Sequence, residues 1–295
     1  MPVTSRRARF SSRIAVSAVL TLAACKLGAA GRNDGAATGK GPDGAACAGD
    51  TRTEEVTFPS LHDGLVLHAT AVQPCTTGDG GARRPVVVFA HQLCRDRSEW
   101  QQPSHDWIAA FTARGVGSLA VDLRGHGAST AWPGDGGTHD LCAEANDPNA
   151  MPLYAAMVDD VAAAVAYARG AMHATHVALV GASVGANAAL TAFATDADLS
   201  TVVALSPGLD DRGITTIGPI ERIARRPALL EASDGDTRSA DAVRALKGRN
   251  QNAQIVVWMC AAQVTVCDGH GNLIIDQHPD ELPRVVNLVT SLLGI

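Results

Sequence analysis

A chain of 295 residues that is 46% hydrophobic and 18% charged can bury a full core in one large domain and still carry a leader. Its net charge of -6 and aromatic content of 4% leave no basic face to neutralise phosphates, which excludes nucleic acid as the expected partner and points to small solutes.

The first 25 residues read as an export signal, because Arg6, Arg7, Arg9 and Arg13 precede the apolar run IAVSAVLTLAA, which is too short to span a bilayer. The run ends in LAAC, which resembles the bacterial lipoprotein signal, where a cysteine lipidated on its thiol becomes the mature N-terminus. The resemblance implies Cys25 as the lipidation site, and Lys26 behind it implies sorting to the outer membrane. An ordinary secretory peptide cut nearby is the alternative. On either reading the protein is exported, and on the first its contact with a membrane runs through the lipid alone. Residues 26–50 are rich in glycine and alanine with no apolar period, so they read as a flexible tether ahead of a folded domain over 51–295.

From Thr51 onward, strands are expected at EEVTFP, GLVLHATAV, PVVVFAH, GSLAVDL, HVALVGA, TVVALSP, PALLEAS and QIVVWMC. Helical patterns lie between them at 106–113, 153–168, 184–194, 237–246 and 283–293. The later strands are apolar throughout rather than alternating, as parallel strands covered on both faces should be. Strand and helix in alternation predict an α/β fold with an eight-stranded, mostly parallel sheet and helices on both faces. No internal repeat and no second domain boundary interrupts the pattern.

One stretch carries chemistry. GASVG, with Ser183 between Gly181 and Gly185, follows a predicted strand and opens a predicted helix, which is the context a G-x-S-x-G nucleophile turn requires. Here the chain resembles the α/β-hydrolase family over nearly all of 51–295, in its capless esterase and dienelactone-hydrolase-like branches. VVVFAHQLCRDRSEW is similar to the loop after strand three that supplies one side of the oxyanion hole. AVDLRGHGAST is similar to the family's D-x-R-G-H-G-x-S segment, and CDGHGNLIIDQHPDELPRVVNLVTSLL to the loop that holds the base histidine and the final helix.

The resemblance implies Ser183 as nucleophile, His270 as base and Asp236 as the acid that orients it, in the family's chain order. A serine hydroxyl is too weak an acid to ionise near neutral pH, and a histidine suits the base's task. His278 is a rival base, Asp234 a rival acid, and Asp210 or Asp211 a weaker option used by some relatives. His91 and His126 are expected to organise turns. The backbone N–H groups of Leu93 and Val184 are the implied oxyanion donors, although Gln92 stands where most relatives have glycine, which leaves the first donor open and places a side chain against the pocket.

The chain has 7 cysteines; with Cys25 set aside, six remain for an oxidising compartment, and the pairs expected are Cys260 with Cys267, Cys94 with Cys142, and Cys47 with Cys75. No zinc-like spacing occurs, so no metal and no cofactor are expected. Only residues 208–226 separate the sixth and seventh strands, room for one short helix and no cap, and 130–154 forms the other long insertion. The expected reading is a serine hydrolase of small or flexible carboxylic esters, with a peptidase or amidase on the same machinery, or an inactive binding lipoprotein, as alternatives.

Overall fold

The computed structural model describes residues 50–75, 83–132, 136–223, 225–258 and 268–295. The signal, the tether, the pair Cys260–Cys267 and Cys47 lie outside them. Eight strands form the main sheet: β1 (Thr51–Pro59), β2 (Val66–Pro74), β3 (Val86–Ala90), β4 (Gly117–Val121), β5 (Val177–Ala182), β6 (Leu199–Leu205), β7 (Ala228–Ser233) and β8 (Gln254–Trp258). Their order is β1-β2-β4-β3-β5-β6-β7-β8, with β2 antiparallel to both of its neighbours and every pair from β4 to β8 parallel. All eight lie where the sequence placed strands, although β1 is largely polar, and the eight-stranded α/β sheet expected from the sequence is the one observed.

Side chains alternate across this sheet with the period of two that a strand imposes. In β3, Val86, Val88 and Ala90 join one core, whereas Val87 and Phe89 join the other. The first core is closed by α2 (Met157–Gly170), α3 (Val184–Thr195), α4 (Ile217–Ile223) and α5 (Thr237–Arg249), and the second by α1 (Trp107–Thr112) and α6 (Glu281–Leu292). The helices therefore cover both faces, which is why the middle strands are buried from end to end. Few aromatics are available, and four gather in the second core: Phe89 lies 5.0, 6.4 and 5.9 Å from the ring centroids of Trp100, Trp107 and Phe111.

Two expectations need adjustment. The pattern at 153–168 is divided at Ala156 into Met151–Ala155 and α2, and the helix expected from 106 begins one residue later. Asp106 is its N-cap, its side chain accepting from Ala109 N at 2.8 Å, which satisfies a donor that the first turn would otherwise leave open.

The D-x-R-G-H-G-x-S segment is a brace between layers. Asp122 accepts from Arg97 N and Ala128 N, both at 2.8 Å, and pairs with the Arg97 guanidinium. Arg124 is fully buried and spans Asp160 (2.9 and 2.8 Å), Asp63 (3.1 Å) and Ser60 (2.8 Å). Ser129 Oγ accepts from His68 N at 2.9 Å. Arg124→Met should cost about 3–5 kcal/mol, because Asp160, itself fully buried, is left as an unpaired charge. Urea unfolding of that variant, and of Arg124→Met with Asp160→Asn, checks this; the second change should recover part of the loss, and equal midpoints for Arg124→Met and the native protein would refute it.

Candidate active site

β5 delivers the chain to Ser183 at the carboxyl end of the sheet, and α3 leaves from it. The serine adopts φ 52° and ψ −118°, a backbone state that side chains rarely hold and that costs of order 1–3 kcal/mol. The turn is tight enough that a Cβ on Gly181 would sit 2.3 Å from Gly185 O, and one on Gly185 2.3 Å from Ala90 O. Both glycines are thus required by close backbone approach, and the bond from Ser183 N to Leu205 O at 2.8 Å ties the turn to β6.

His270 arrives from the loop before α6. Its Nε2 lies 2.7 Å from Ser183 Oγ and its Nδ1 2.6 Å from Asp236 Oδ2. With Asp236 ionised, Nδ1–H donates to the carboxylate and Nε2 is left to accept from the serine hydroxyl. Burial works against the Asp236 charge, but the bonds from His270 and Ser239 outweigh it and hold its carboxyl below the usual range. Asp236 is also the N-cap of α5, accepting from Ser239 N at 3.3 Å, so one carboxylate anchors both the helix and the imidazole. Ser206 steadies the histidine loop by accepting from Gly271 N at 2.8 Å.

The rivals fall elsewhere. Asp234 pairs with Arg244 at 2.7 Å, and His278 stacks on Trp258 with ring centroids 4.6 Å apart. Asp211 meets the nucleophile and not the histidine, its Oδ2 lying 3.4 Å from Ser183 Oγ, whose one proton is directed to His270. Asn187 brings it there by donating to Ile214 O at 2.7 Å and accepting from Gly208 N at 2.9 Å, which folds residues 208–215 back over α3.

On the other side, His91 is fully buried and neutral: burial and the neighbouring His126 push its pKa down to about 3. Its Nε2 accepts from Leu123 N at 2.9 Å, so Nδ1–H donates to Gln92 O at 2.9 Å. Gln92 N donates to Glu99 Oε1 at 2.8 Å. With its neighbours so engaged, the loop leaves Leu93 N–H without an acceptor among the described residues, as the first turn of α3 leaves Val184 N–H. Leu93 lines the same pocket as Ser183, and Val184 follows Ser183 in the chain. Cys94 and Cys142 form a disulfide that ties this loop to the 130–154 insertion. Cys75 is also disulfide-bonded.

Glu99 was missed by the sequence analysis. It is 7% exposed, and burial pushes its carboxyl up to about 8 against the opposing bond from Gln92 N–H. The folded protein thus keeps a proton that the unfolded chain releases above about pH 4.3, and stability contributed by that proton is lost as pH rises from there through about 8. Glu99→Gln keeps an acceptor for Gln92 N–H without the charge. Its melting temperature should fall less than the native protein's between pH 5 and pH 9, by about 5 °C; parallel profiles would exclude the effect.

The pocket around Ser183 and His270 holds about 280 Å³ and is also lined by Gln92, Leu93, Asp211 and Arg212. That is at the small end for organic ligands. Among the described residues no cluster of histidine, cysteine, aspartate and glutamate could hold a metal ion.

Residues 81–230 match the family described as serine aminopeptidase, S33. The chain belongs to this family of α/β-hydrolases. Its fold is similar to that of a dienelactone hydrolase from Anabaena variabilis, with a TM-score of 0.57 at 18% identity over 82% of this chain and 97% of the other. An esterase from Pyrococcus furiosus gives 0.59 at 16% over 82% and 93%, and Est1E from Butyrivibrio proteoclasticus 0.56 at 13% over 82% and 99%. No protein of curated function matches the sequence. At these identities the solved structures speak for the α/β-hydrolase fold alone.

Proposed function

We propose that the chain is a serine hydrolase that cleaves small or flexible carboxylic esters through an acyl-enzyme. The observation that carries this is the unbroken relay from Asp236 through His270 to Ser183 at 2.6 and 2.7 Å. Ser183 Oγ attacks the ester carbonyl as His270 Nε2 takes its proton; the N–H groups of Leu93 and Val184 receive the charge that develops on the carbonyl oxygen. His270 then gives the proton to the departing alkoxide, and water repeats the sequence on the acyl-enzyme. Asp236 keeps the proton on Nδ1 and offsets the imidazolium charge. The small pocket supports small substrates, and no cofactor enters the scheme. Turnover of a p-nitrophenyl ester series from acetate to dodecanoate tests it, with labelling of Ser183 by a fluorophosphonate; no turnover and no labelling would favour an inactive binding scaffold.

A second reading, amide cleavage next to a free amine, has one observation in its favour. Asp211 sits 3.4 Å from the nucleophile, where its carboxylate would attract an ammonium beside the scissile carbonyl. Arg212 on the same pocket opposes it. Faster turnover of an alanine p-nitroanilide than of p-nitrophenyl acetate, with a KM raised by Asp211→Asn, would move the assignment to an aminopeptidase.

Export is proposed with lipid on Cys25 and the outer membrane as destination. The disulfide between Cys94 and Cys142 supports an oxidising compartment. Cys25→Ser should release the protein from the membrane fraction, and retention there would overturn the anchor.

A further inference from the structure

Beside the catalytic pocket lies a second cavity of about 260 Å³, lined by Glu99, His105, Asn272 and Asp276 among others, and Gln92 is the one described residue that borders both. The Gln92 side chain is 8% exposed, and its Oε1 is buried with no hydrogen-bond partner. Its end abuts Gly271, which has φ 60°; a Cβ there would come within 2.0 Å of Gln92 Oε1. A carboxamide held without a partner for its oxygen gains nothing by hydrogen bonding there. What it does is fill space between two hollows.

We propose that Gln92 determines specificity as a partition: it confines the substrate's acyl arm to a short one, and the cavity behind it is shaped for a longer arm ending in a hydrogen-bonding group. The preference for a polar end follows from the lining, which offers the carboxyl of Glu99 and the His105–Asp276 pair at 2.7 Å. An aliphatic arm would leave these groups without water. The backbone at 92 is held independently of its side chain, by Glu99 through its N–H and by His91 Nδ1 and Arg95 N through its carbonyl, so shortening the side chain leaves the loop in place. The inference rests on the serine-hydrolase reading of Ser183.

The test compares kcat/KM for p-nitrophenyl 6-hydroxyhexanoate with that for p-nitrophenyl acetate. In Gln92→Ala the ratio should rise about tenfold or more, chiefly through KM, and Gln92→Ser should behave alike; Gln92→Met, of similar volume, should keep the native ratio. An unchanged ratio in the two small variants would overturn the partition, as would an equal rise in Gln92→Met, which would assign the effect to the amide rather than to its bulk. The rates at which short-armed and hydroxyalkyl-armed fluorophosphonates label Ser183 give the same ratio without ester turnover. A shift in labelling with no ester cleavage would uphold the partition and sink the esterase reading, whereas no labelling of Ser183 in any variant would sink both.

Discussion

Ser183→Ala is expected to lower kcat on p-nitrophenyl esters by about 10⁴-fold to 10⁶-fold while leaving the fold intact. The loss is that large because the remaining parts cannot substitute for the hydroxyl: His270 would have no proton to take, and the acyl-enzyme could not form. The backbone gives a second reading of the same position. At φ 52° and ψ −118° a Cβ is strained whether or not it bears oxygen, so alanine keeps the strain and only glycine releases it. Ser183→Gly should therefore be as inactive as the alanine variant and more stable than it, by about 1 kcal/mol after the extra entropy of an unfolded glycine is subtracted. Activity in Ser183→Ala within tenfold of native would remove Ser183 from the nucleophile's role, and a Ser183→Gly protein less stable than Ser183→Ala would mean that the turn is not strained as its angles imply. With Ser183→Ala inactive and Ser183→Gly the more stable of the two, the turn gives up stability for chemistry, which is the exchange expected where backbone strain and function coincide.

The sheet was readable because its middle strands are apolar on both faces, so that five-residue runs such as VVVFA have few alternatives once turns bound them. Ser183 stood out through its neighbours, because a Cβ on either flanking glycine would come within 2.3 Å of backbone and so close an approach leaves a mark in sequence, whereas His270 was reached through the family resemblance. Side chains whose roles depend on distant partners left none. Glu99 stands among charged residues in RDRSEW, where nothing announces that its carboxyl is buried. His105 meets Asp276 across 171 residues, and Asn272 joins their segments by donating to Glu99 O at 2.8 Å and accepting from Trp107 Nε1 at 2.6 Å. Asp211 in SPGLDD was named as a weaker option for the acid, and its place beside the serine instead depends on the grip of Asn187 on 208–214. Pattern locates elements and close backbone approaches; it does not locate polar partners that tertiary packing selects.

The choice between Asp236 and Asp234 yields the other large effect. Asp236→Asn should lower kcat by about 10⁴-fold. The substituted amide can present its N–H₂ to His270 Nδ1, which moves the ring proton to Nε2; the nitrogen 2.7 Å from Ser183 Oγ then becomes a donor and cannot take the hydroxyl's proton. Stability should change little, because asparagine caps a helix about as well as aspartate and the α5 cap to Ser239 N survives. A large kinetic defect with a native melting temperature is thus the signature of a tautomer reversed rather than of a site unfolded. Asp234→Asn is the control. It breaks an exposed, solvent-screened pair with Arg244, so stability should barely change, and it should leave kcat as it was. Were Asp234→Asn the damaging substitution and Asp236→Asn silent, the distance of 2.6 Å between Asp236 and His270 would mark only a helix cap in contact with a histidine, and the acid would have to be sought elsewhere.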